Sequence, residues 1–139
     1  MNTRLVTFTL DGRLYGVRVD SVQEVLRGLP RTRIPLAPPT LSGLINLRGQ
    51  VLTAVDLREQ LGLPAYEAEP DQMLVVIRVA GESVALVVDS IGAVLEVADQ
   101  EFESLPDTLN DISRELLLGA YKLENELLLE LDVERAVAA

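Results

Sequence analysis

Apolar and polar residues alternate along much of the chain, which is typical of β-strands with one buried face. The segment RLVTFTL is followed by Asp11-Gly12, a pair that favours a tight hairpin turn, and then by LYGVRV. The next segment, DSVQEVLRG, breaks the alternation, and Ser21 and Glu24 have the spacing of a helix capping box before a stop at Gly28. We therefore expect a hairpin followed by a short helix.

A second hairpin is predicted after the proline-rich segment 30–39. The sequence GLINLRGQVLTAVDL consists of two apolar runs around Arg48-Gly49, and residues 57–61 have the pattern of one helical turn with Asp56 as its N-cap. Segment 63–72 contains two prolines together with acidic and polar side chains. It is therefore the plausible internal linker.

After this linker the same order of elements recurs. We predict a hairpin around Ala80-Gly81, a short helical turn and the strand AVLEV. An acidic loop over 99–111 then leads to a last hairpin with its turn at Glu124-Asn125 and to a closing helix capped by Asp132.

Two offsets align the two halves of the chain. A shift of 69 residues places DSVQEVL on DSIGAVL, and a shift of 76 places GLINLRGQVLTAVDL on GAYKLENELLLELDV. We interpret the chain as one domain over 1–139, with duplicated halves at about 4–62 and 73–139. Five short strands per half would leave exposed edges in an open sheet, so we predict an all-β fold with short helices, in which two five-stranded SH3/OB-like barrels share a core.

Composition narrows the possible chemistry. The chain has neither Cys nor His, which excludes disulfides, thiol nucleophiles, Ser-His-Asp sites and most zinc hydrolase sites. Twelve basic against twenty-two acidic residues give a net charge of −10, which disfavours nucleic acids and anionic lipid surfaces as partners. The sequence contains no signal-peptide pattern and no apolar stretch of membrane-spanning length, so we expect a cytoplasmic protein without membrane insertion.

Two Asp-Ser pairs, Asp20-Ser21 and Asp89-Ser90, occupy matching places in the halves, as the acids of aspartic proteases do. The glycine that follows in such a dyad is replaced by Val22 and Ile91, and each Asp stands where a helix N-cap is expected. We therefore interpret both as caps and expect no catalytic residue. The acidic loop lacks the spacing of a calcium-binding loop, so no metal site and no cofactor is expected either.

Positive charge concentrates in the first half of this acidic chain. Six arginines lie between positions 13 and 48: Arg13, Arg18, Arg27, Arg31, Arg33 and Arg48. Ordinary pairing with surface acids accounts for this pattern, and a docking patch for an acidic protein surface is the alternative. Arg48 stands at a predicted hairpin turn, where a planar guanidinium on rigid backbone is suited to anchoring a protein interface.

The segment GLINLRGQVLTAVDLREQLGL resembles the signature of the CheW-like coupling proteins of bacterial chemotaxis, G-x-x-N-L-R-G followed by D-L-R. FTLDGRLYGVRVDSVQEVL and SVALVVDSIGAVLEV resemble the family's first and third segments, so the resemblance covers nearly the whole chain. One departure is Thr53, which stands where the family often has proline. The resemblance implies two intertwined five-stranded barrels with a common core and with strands exchanged between the halves.

The same resemblance implies a non-catalytic adaptor that couples the cytoplasmic tip of a methyl-accepting chemoreceptor to the regulatory domain of the chemotaxis histidine kinase. Such an adaptor is recruited to membrane-associated receptor arrays. The positions that match the family's receptor-binding groove are Val22, Glu24, Val25, Arg48 and Val87. Glu24 has an alternative role in the capping box and Val87 an alternative role in the core, and the kinase-binding residues are unknown from the sequence.

Two alternative functions stay open at this point. One is a CheW-like modulator that keeps only one of the two interfaces, and the other is a double barrel that binds a small molecule. The sequence also leaves open which chemosensory pathway the protein serves.

Overall fold

The computed structural model describes residues 2–27, 31–64 and 72–137. Within these ranges the chain forms eleven strands and three short α-helices. The strands are β1 (Asn2–Leu10), β2 (Arg13–Arg18), β3 (Val22–Arg27), β4 (Leu41–Leu47), β5 (Gln50–Asp56), β6 (Met73–Val79), β7 (Glu82–Val88), β8 (Ser90–Ala98), β9 (Phe102–Glu103), β10 (Leu117–Lys122) and β11 (Leu127–Leu131). The helices are α1 (Leu57–Gln60), α2 (Asp111–Leu116) and α3 (Val133–Val137). The predicted class, mostly β with short helices, is confirmed.

The strands form two sheets, and each sheet takes strands from both sides of the predicted linker. One has the order β3-β6-β7-β5-β4 and the other β8-β1-β2-β11-β10-β9. In each sheet one central pair is parallel, β5 with β7 and β2 with β11. The offsets of 69 and 76 align each strand of the five-stranded sheet with one strand of the six-stranded sheet, and the aligned strands stand in the same order. Strand β9 has no counterpart. The boundaries 4–62 and 73–139 stay a prediction, and most of the predicted linker, residues 65–71, lies outside the described residues.

The six-stranded sheet must curl because its two edge strands are joined by a very short connection. β8 ends at Ala98 and β9 begins at Phe102, with a 3₁₀ turn over Asp99–Glu101 between them. Four peptide steps span at most about 14 Å, whereas the edges of a flat six-stranded sheet would be about 24 Å apart. The chain can therefore make this connection only if the sheet bends toward a barrel.

The two sheets share a buried core. Phe8 and Tyr15 from the six-stranded sheet pack in one apolar cluster with Ile77 and Leu86 from the five-stranded sheet. On its other face each sheet covers a smaller cluster of its own, represented by Leu74 in the five-stranded sheet and Leu128 in the six-stranded sheet. Central strands are thus buried on both faces, which explains why apolar runs such as MLVVIRV replace strict alternation.

Two predicted helices are wrong. Where the first helix was predicted, Val19–Ser21 form a 3₁₀ turn without a side-chain cap and the chain continues as β3. The corresponding segment of the second half is the continuous strand β8. The capping-box roles of Ser21 and Glu24 are therefore wrong, and the predicted stop at Gly28 lies outside the described residues. The reason is long-range pairing: β3 aligns with β6 and β8 with β1, and these ladders outweigh a local capping preference.

Three of the predicted hairpin turns and the predicted helix caps Asp56 and Asp132 are confirmed. Three hairpin turns have positive φ at both central residues, as type I′ turns require: Asp11-Gly12, Arg48-Gly49 and Ala80-Gly81. Asp56 caps α1 by accepting a hydrogen bond from the backbone N–H of Glu59, and Asp132 accepts one from the N–H of Arg135. The sequence did not predict α2, whose N-cap Asn110 accepts from the N–H of Ser113 at 2.7 Å.

Candidate protein-binding site

An ion pair joins the two edge strands of the five-stranded sheet. Glu24 lies on β3, and Arg48 lies in the turn between β4 and β5. The Arg48 Nη2 donates a hydrogen bond to the Glu24 Oε2. Because β3 and β4 are opposite edges of this sheet, the contact shows that the five-stranded sheet also bends toward closure. The Arg48 side chain is 68% exposed and that of Glu24 is 23% exposed, so a partner can reach the guanidinium.

The local sequence explains why Arg48 projects from the surface. Asn46 accepts a hydrogen bond from the Gly49 N–H through its Oδ1 at 3.0 Å, which stabilises the turn from within. Leu47 is buried in the interior of the sheet and fixes the strand beneath the turn. Arg48 itself has φ of 51° and is held between these two anchored neighbours. The four residues from Asn46 to Gly49 thus form one unit that presents a guanidinium.

Two exposed valines lie near the ion-paired residues in the sequence: Val25 follows Glu24 on β3, and Val51 lies on β5 after the Arg48 turn. Val25 on β3 pairs with Val75 on β6, so the two side chains point to the same face. Val51 and Val55 also share a face, because they are four residues apart on β5. Val75 and Val55 both belong to the core between the sheets. Val25 and Val51 are therefore on the sheet face that covers the shared core, but at its exposed rim. The sequence singled out Val25 but not Val51, because an isolated apolar residue in a strand carries no signal of exposure.

The five residues predicted for receptor binding do not all reach the surface. The structure brings Glu24 and Arg48 into contact and exposes Val25 near them. Val22 is half-buried and packs against the shared core. Val87 is 2% exposed and belongs to the interior cluster of the five-stranded sheet, so its side chain supports the surface from behind.

A second ion pair lies inside the molecule where the two sheets meet. Arg58 donates from Nε and Nη2 to the two carboxylate oxygens of Asp89, at 3.0 and 2.7 Å. The same Asp89 carboxylate accepts from the N–H of Asp11 in the β1–β2 turn at 2.8 Å. Both side chains of the pair are largely buried, at 9% and 12% exposure. The predicted helix-capping role of Asp89 is therefore wrong, since its carboxylate ties α1 to the β1–β2 turn.

A third polar cluster is specific to the six-stranded sheet. The Glu130 side chain is 1% exposed and accepts hydrogen bonds from the Arg18 Nε at 2.9 Å and the Tyr121 hydroxyl at 3.2 Å. The hydrogen bond to Glu130 raises the pKa of Arg18, and burial raises the pKa of Tyr121. At the predicted offsets the five-stranded sheet has apolar residues instead: Val87, Ile45 and Ala54. The interiors of the two sheets are therefore chemically different.

The described residues contain little that suggests another kind of site. They include no group of three acids placed to hold a metal ion. A cavity of about 240 Å³ lies beside the β1–β2 turn, lined by leucines together with Arg13 and Glu126. This volume is below the range of about 300–1,000 Å³ that is typical of small-molecule pockets. Within 2–27, 31–64 and 72–137, no helix has the length and apolar character needed to span a bilayer.

Comparison with known proteins identifies the family. The family model described as "CheW-like domain" matches residues 4–139. The chain belongs to the CheW-like family. It is 33% identical over 130 residues to the chemotaxis protein CheW of Rhizobium meliloti, covering 92% of this chain and 84% of that one. It is also 33% identical over 128 residues to the Bacillus subtilis chemotaxis protein CheW, covering 90% of this chain and 80% of that one.

A solved structure supports the same assignment. The scaffolding protein TtCheW of Thermoanaerobacter tengcongensis superimposes with a TM-score of 0.84 at 25% sequence identity, over 95% of this chain and 90% of that one. At the level of the family, the chain is a non-catalytic scaffold of chemotaxis that couples receptors and kinase. The CheW-like signature also has a physical explanation here. Its N-L-R-G part builds the exposed turn, and its D-L-R part supplies a helix cap, a core leucine and the buried Arg58.

Proposed function

We propose that this protein couples the cytoplasmic tip of a methyl-accepting chemoreceptor to the regulatory domain of a chemotaxis histidine kinase. The observation that carries the proposal is the Glu24–Arg48 pair at the closure of the five-stranded sheet, whose guanidinium is exposed, together with the exposed Val25 and Val51 on the same edge strand and hairpin. The protein would act in the cytoplasm and be recruited to membrane-associated receptor arrays.

The receptor partner follows from the chemistry of this site. A receptor tip is a helical hairpin, and a helix is held in a groove by apolar anchors with charges that orient it. Val25 and Val51 supply apolar surface, and Arg48 supplies a planar set of donors for a carboxylate. Glu24 holds Arg48 in place before binding, so less side-chain entropy is lost when the partner arrives.

The kinase partner would use a different surface of the same molecule. A regulatory domain with the same fold can cover strand edges that this chain leaves exposed. The arginines of the first half and the acids of the second half give the molecule a charge asymmetry that orients such an encounter. Because exposed charges are screened over about 8 Å at physiological salt, association with the kinase domain should slow as the salt concentration rises.

The receptor site is tested by reversing one charge. Glu24→Lys places two cations side by side and releases Arg48, so the affinity for a soluble receptor signalling hairpin should fall at least about tenfold. Glu82→Lys is the matched control, because Glu82 is an exposed acid of the same sheet and lies outside the ion pair. Affinity is measured by isothermal titration, with circular dichroism as the check of folding. Equal affinity of the Glu24→Lys variant and the unaltered protein would contradict the proposed receptor site.

A further inference from the structure

The internal repeat allows the strands to be arranged in two ways. In the structure, the β1–β2 hairpin of the first half lies between β8 and β11 of the second half, and the β6–β7 hairpin of the second half lies between β3 and β5 of the first. The offset of 69 aligns these two hairpins, so exchanging them would give each half a sheet of its own, with the orders β3-β1-β2-β5-β4 and β8-β6-β7-β11-β10. We call the observed arrangement interlocked and the alternative separate.

The buried pair Arg58–Asp89 joins the two halves. Arg58 follows β5 in the first half, and Asp89 follows β7 in the second half. The offset of 76 aligns Arg58 with Glu134. In the separate arrangement Asp89 would therefore face an acid instead of a guanidinium, and a buried carboxylate without its cation is strongly unfavourable.

The pair Arg18–Glu130 joins the halves in the same way. Arg18 lies at the end of β2 in the first half, and Glu130 lies on β11 in the second half, with its side chain 1% exposed. The offset of 69 aligns Arg18 with Val87. In the separate arrangement Glu130 would therefore lie beside a valine, and Arg18 would face Ala54 of the first half. Both arrangements place Glu130 in a sheet interior, but only the interlocked one supplies its guanidinium.

The charges at the surface favour the same arrangement. Arg4 on β1 stands directly opposite Glu96 on β8, whereas the offset of 69 would place Arg27 opposite Arg4 in the separate arrangement. Opposite charges in such a cross-strand pair are favourable and like charges are unfavourable. Residues 1–62 contain eight arginines and five acids, and residues 73–139 contain four basic residues and fourteen acids. The two halves therefore attract each other as a whole.

We propose that the pairs Arg58–Asp89 and Arg18–Glu130 select the interlocked arrangement over the separate one. The uneven distribution of arginine and acid along the chain is then a device that directs strands to the opposite half. Buried charged pairs add little net stability, but they can specify which partner an element takes. The inference does not depend on the proposed function, since it involves neither the receptor nor the kinase.

Engineered disulfides can report which arrangement forms, because the chain contains no cysteine. Thr9 on β1 stands opposite Ser90 on β8, and their hydroxyl groups are hydrogen-bonded. The offset of 69 aligns Ser90 with Ser21. The pair Thr9→Cys/Ser90→Cys should therefore close in the interlocked arrangement, and Thr9→Cys/Ser21→Cys should close in the separate one. Each protein is refolded from urea at low concentration under oxidising conditions, and intramolecular disulfide is measured by non-reducing electrophoresis.

The decisive variant is Arg58→Glu with Glu134→Arg. It leaves the net charge unchanged but moves the cation into the same half as Asp89. The disulfide yield of Thr9→Cys/Ser21→Cys should rise at least about tenfold in this background, and that of Thr9→Cys/Ser90→Cys should fall.

A second variant decides the question if the first does not fold. Arg18→Gln with Glu130→Gln removes both charges at nearly constant volume, and circular dichroism checks that the fold is kept. The yield of Thr9→Cys/Ser21→Cys should rise in this background too. Unchanged yields of both disulfides in a folded variant would overturn the inference.

Arg48→Gln is the matched control. Its partner Glu24 lies in the same half, on a strand that stays in the same sheet as the Arg48 turn in either arrangement. Loss of this pair should therefore leave both disulfide yields as they are in the unaltered background. An equal rise of the Thr9→Cys/Ser21→Cys yield in the control would show that losing any ion pair has this effect, and would overturn the selecting role of the two pairs.

Discussion

Asp20 and Asp89 have matching places in the sequence but different surroundings in the fold. Asp20 is exposed in a 3₁₀ turn and caps nothing, whereas Asp89 holds the buried guanidinium of Arg58. Removing one partner of a buried pair leaves the other charge uncompensated. Asp89→Asn should therefore lower the free energy of unfolding by about 3 kcal/mol, and Asp20→Asn should change it by less than about 0.5 kcal/mol.

Urea denaturation followed by circular dichroism measures both values. The result that would refute the structural role of the pair is an equal, small effect of both variants. Sequence reasoning predicted helix caps at both positions, for which Asn would be a good replacement. The pairing with Arg58 could not be predicted, because it joins residues 31 positions apart that meet only when the sheets are in place.

Two buried tyrosines give the protein a sensitivity to alkaline pH. Burial raises the pKa of both Tyr15 and Tyr121 above the ordinary value of about 10. Above that pH the unfolded chain loses the protons more readily than the folded protein. The contribution of these two tyrosines to the free energy of unfolding should therefore be constant below pH about 10 and fall as the pH rises from there toward the raised values.

The two tyrosines differ in their hydroxyl groups. The Tyr15 hydroxyl has no hydrogen-bond partner among the described residues, whereas the Tyr121 hydroxyl donates to Glu130. At pH 7, Tyr15→Phe should raise the free energy of unfolding by about 1 kcal/mol, because it removes a buried hydroxyl without a partner, while Tyr121→Phe should lower it by about 1 kcal/mol. Each variant should also show a shallower loss of stability in urea titrations above pH 10. An alkaline slope that neither variant changes would show that other groups cause the loss.

At the scale of elements, the 76-residue offset aligns Gly43 with Gly119, and each glycine allows another residue to lie close to its backbone. A Cβ at Gly43 would lie 2.6 Å from the backbone oxygen of Thr32, and one at Gly119 would lie 2.2 Å from the ring of Phe102. Backbone at Thr32 cannot move without breaking its bridge to β4, but the half-exposed ring of Phe102 can swing away. Gly43→Ala should therefore cost about 3 kcal/mol and Gly119→Ala about 1 kcal/mol.

Thermal unfolding of the two alanine variants measures this difference. The Gly119→Ala variant should also lose the edge contact between Phe102 and Tyr121, which near-ultraviolet circular dichroism of the tyrosines detects. A larger cost for Gly119→Ala than for Gly43→Ala would contradict the assignment of the rigid contact to Thr32.

The elements that the sequence predicts correctly are those whose signals are local. Hairpin turns such as Asp11-Gly12 and caps such as Asp56 depend on a few neighbouring residues, and they are found where expected. The strands β3 and β8 are different, because their local sequence favours a helix while their pairing with β6 and β1 decides the outcome. In the candidate site, Arg48 was predictable from its turn, whereas its ion pair with Glu24 depends on the meeting of two sheet edges.

At the scale of the whole molecule, the two sheets are interlocked. The β1–β2 hairpin pairs with β8 and β11, and the β6–β7 hairpin pairs with β3 and β5. Neither sheet can form from one side of the linker alone, so the exposed turn at Arg48 is held on a scaffold to which both sides of the linker contribute. This rigidity suits a protein whose proposed task is to hold two partners at a fixed distance.

The central claim is that one molecule binds a receptor hairpin and a kinase regulatory domain at the same time. Analytical ultracentrifugation of the three purified components tests it directly. The account predicts a ternary species that contains all three proteins and that disappears when this chain is left out. Two separate binary complexes that exclude one another, or no complex with the kinase domain, would contradict the account.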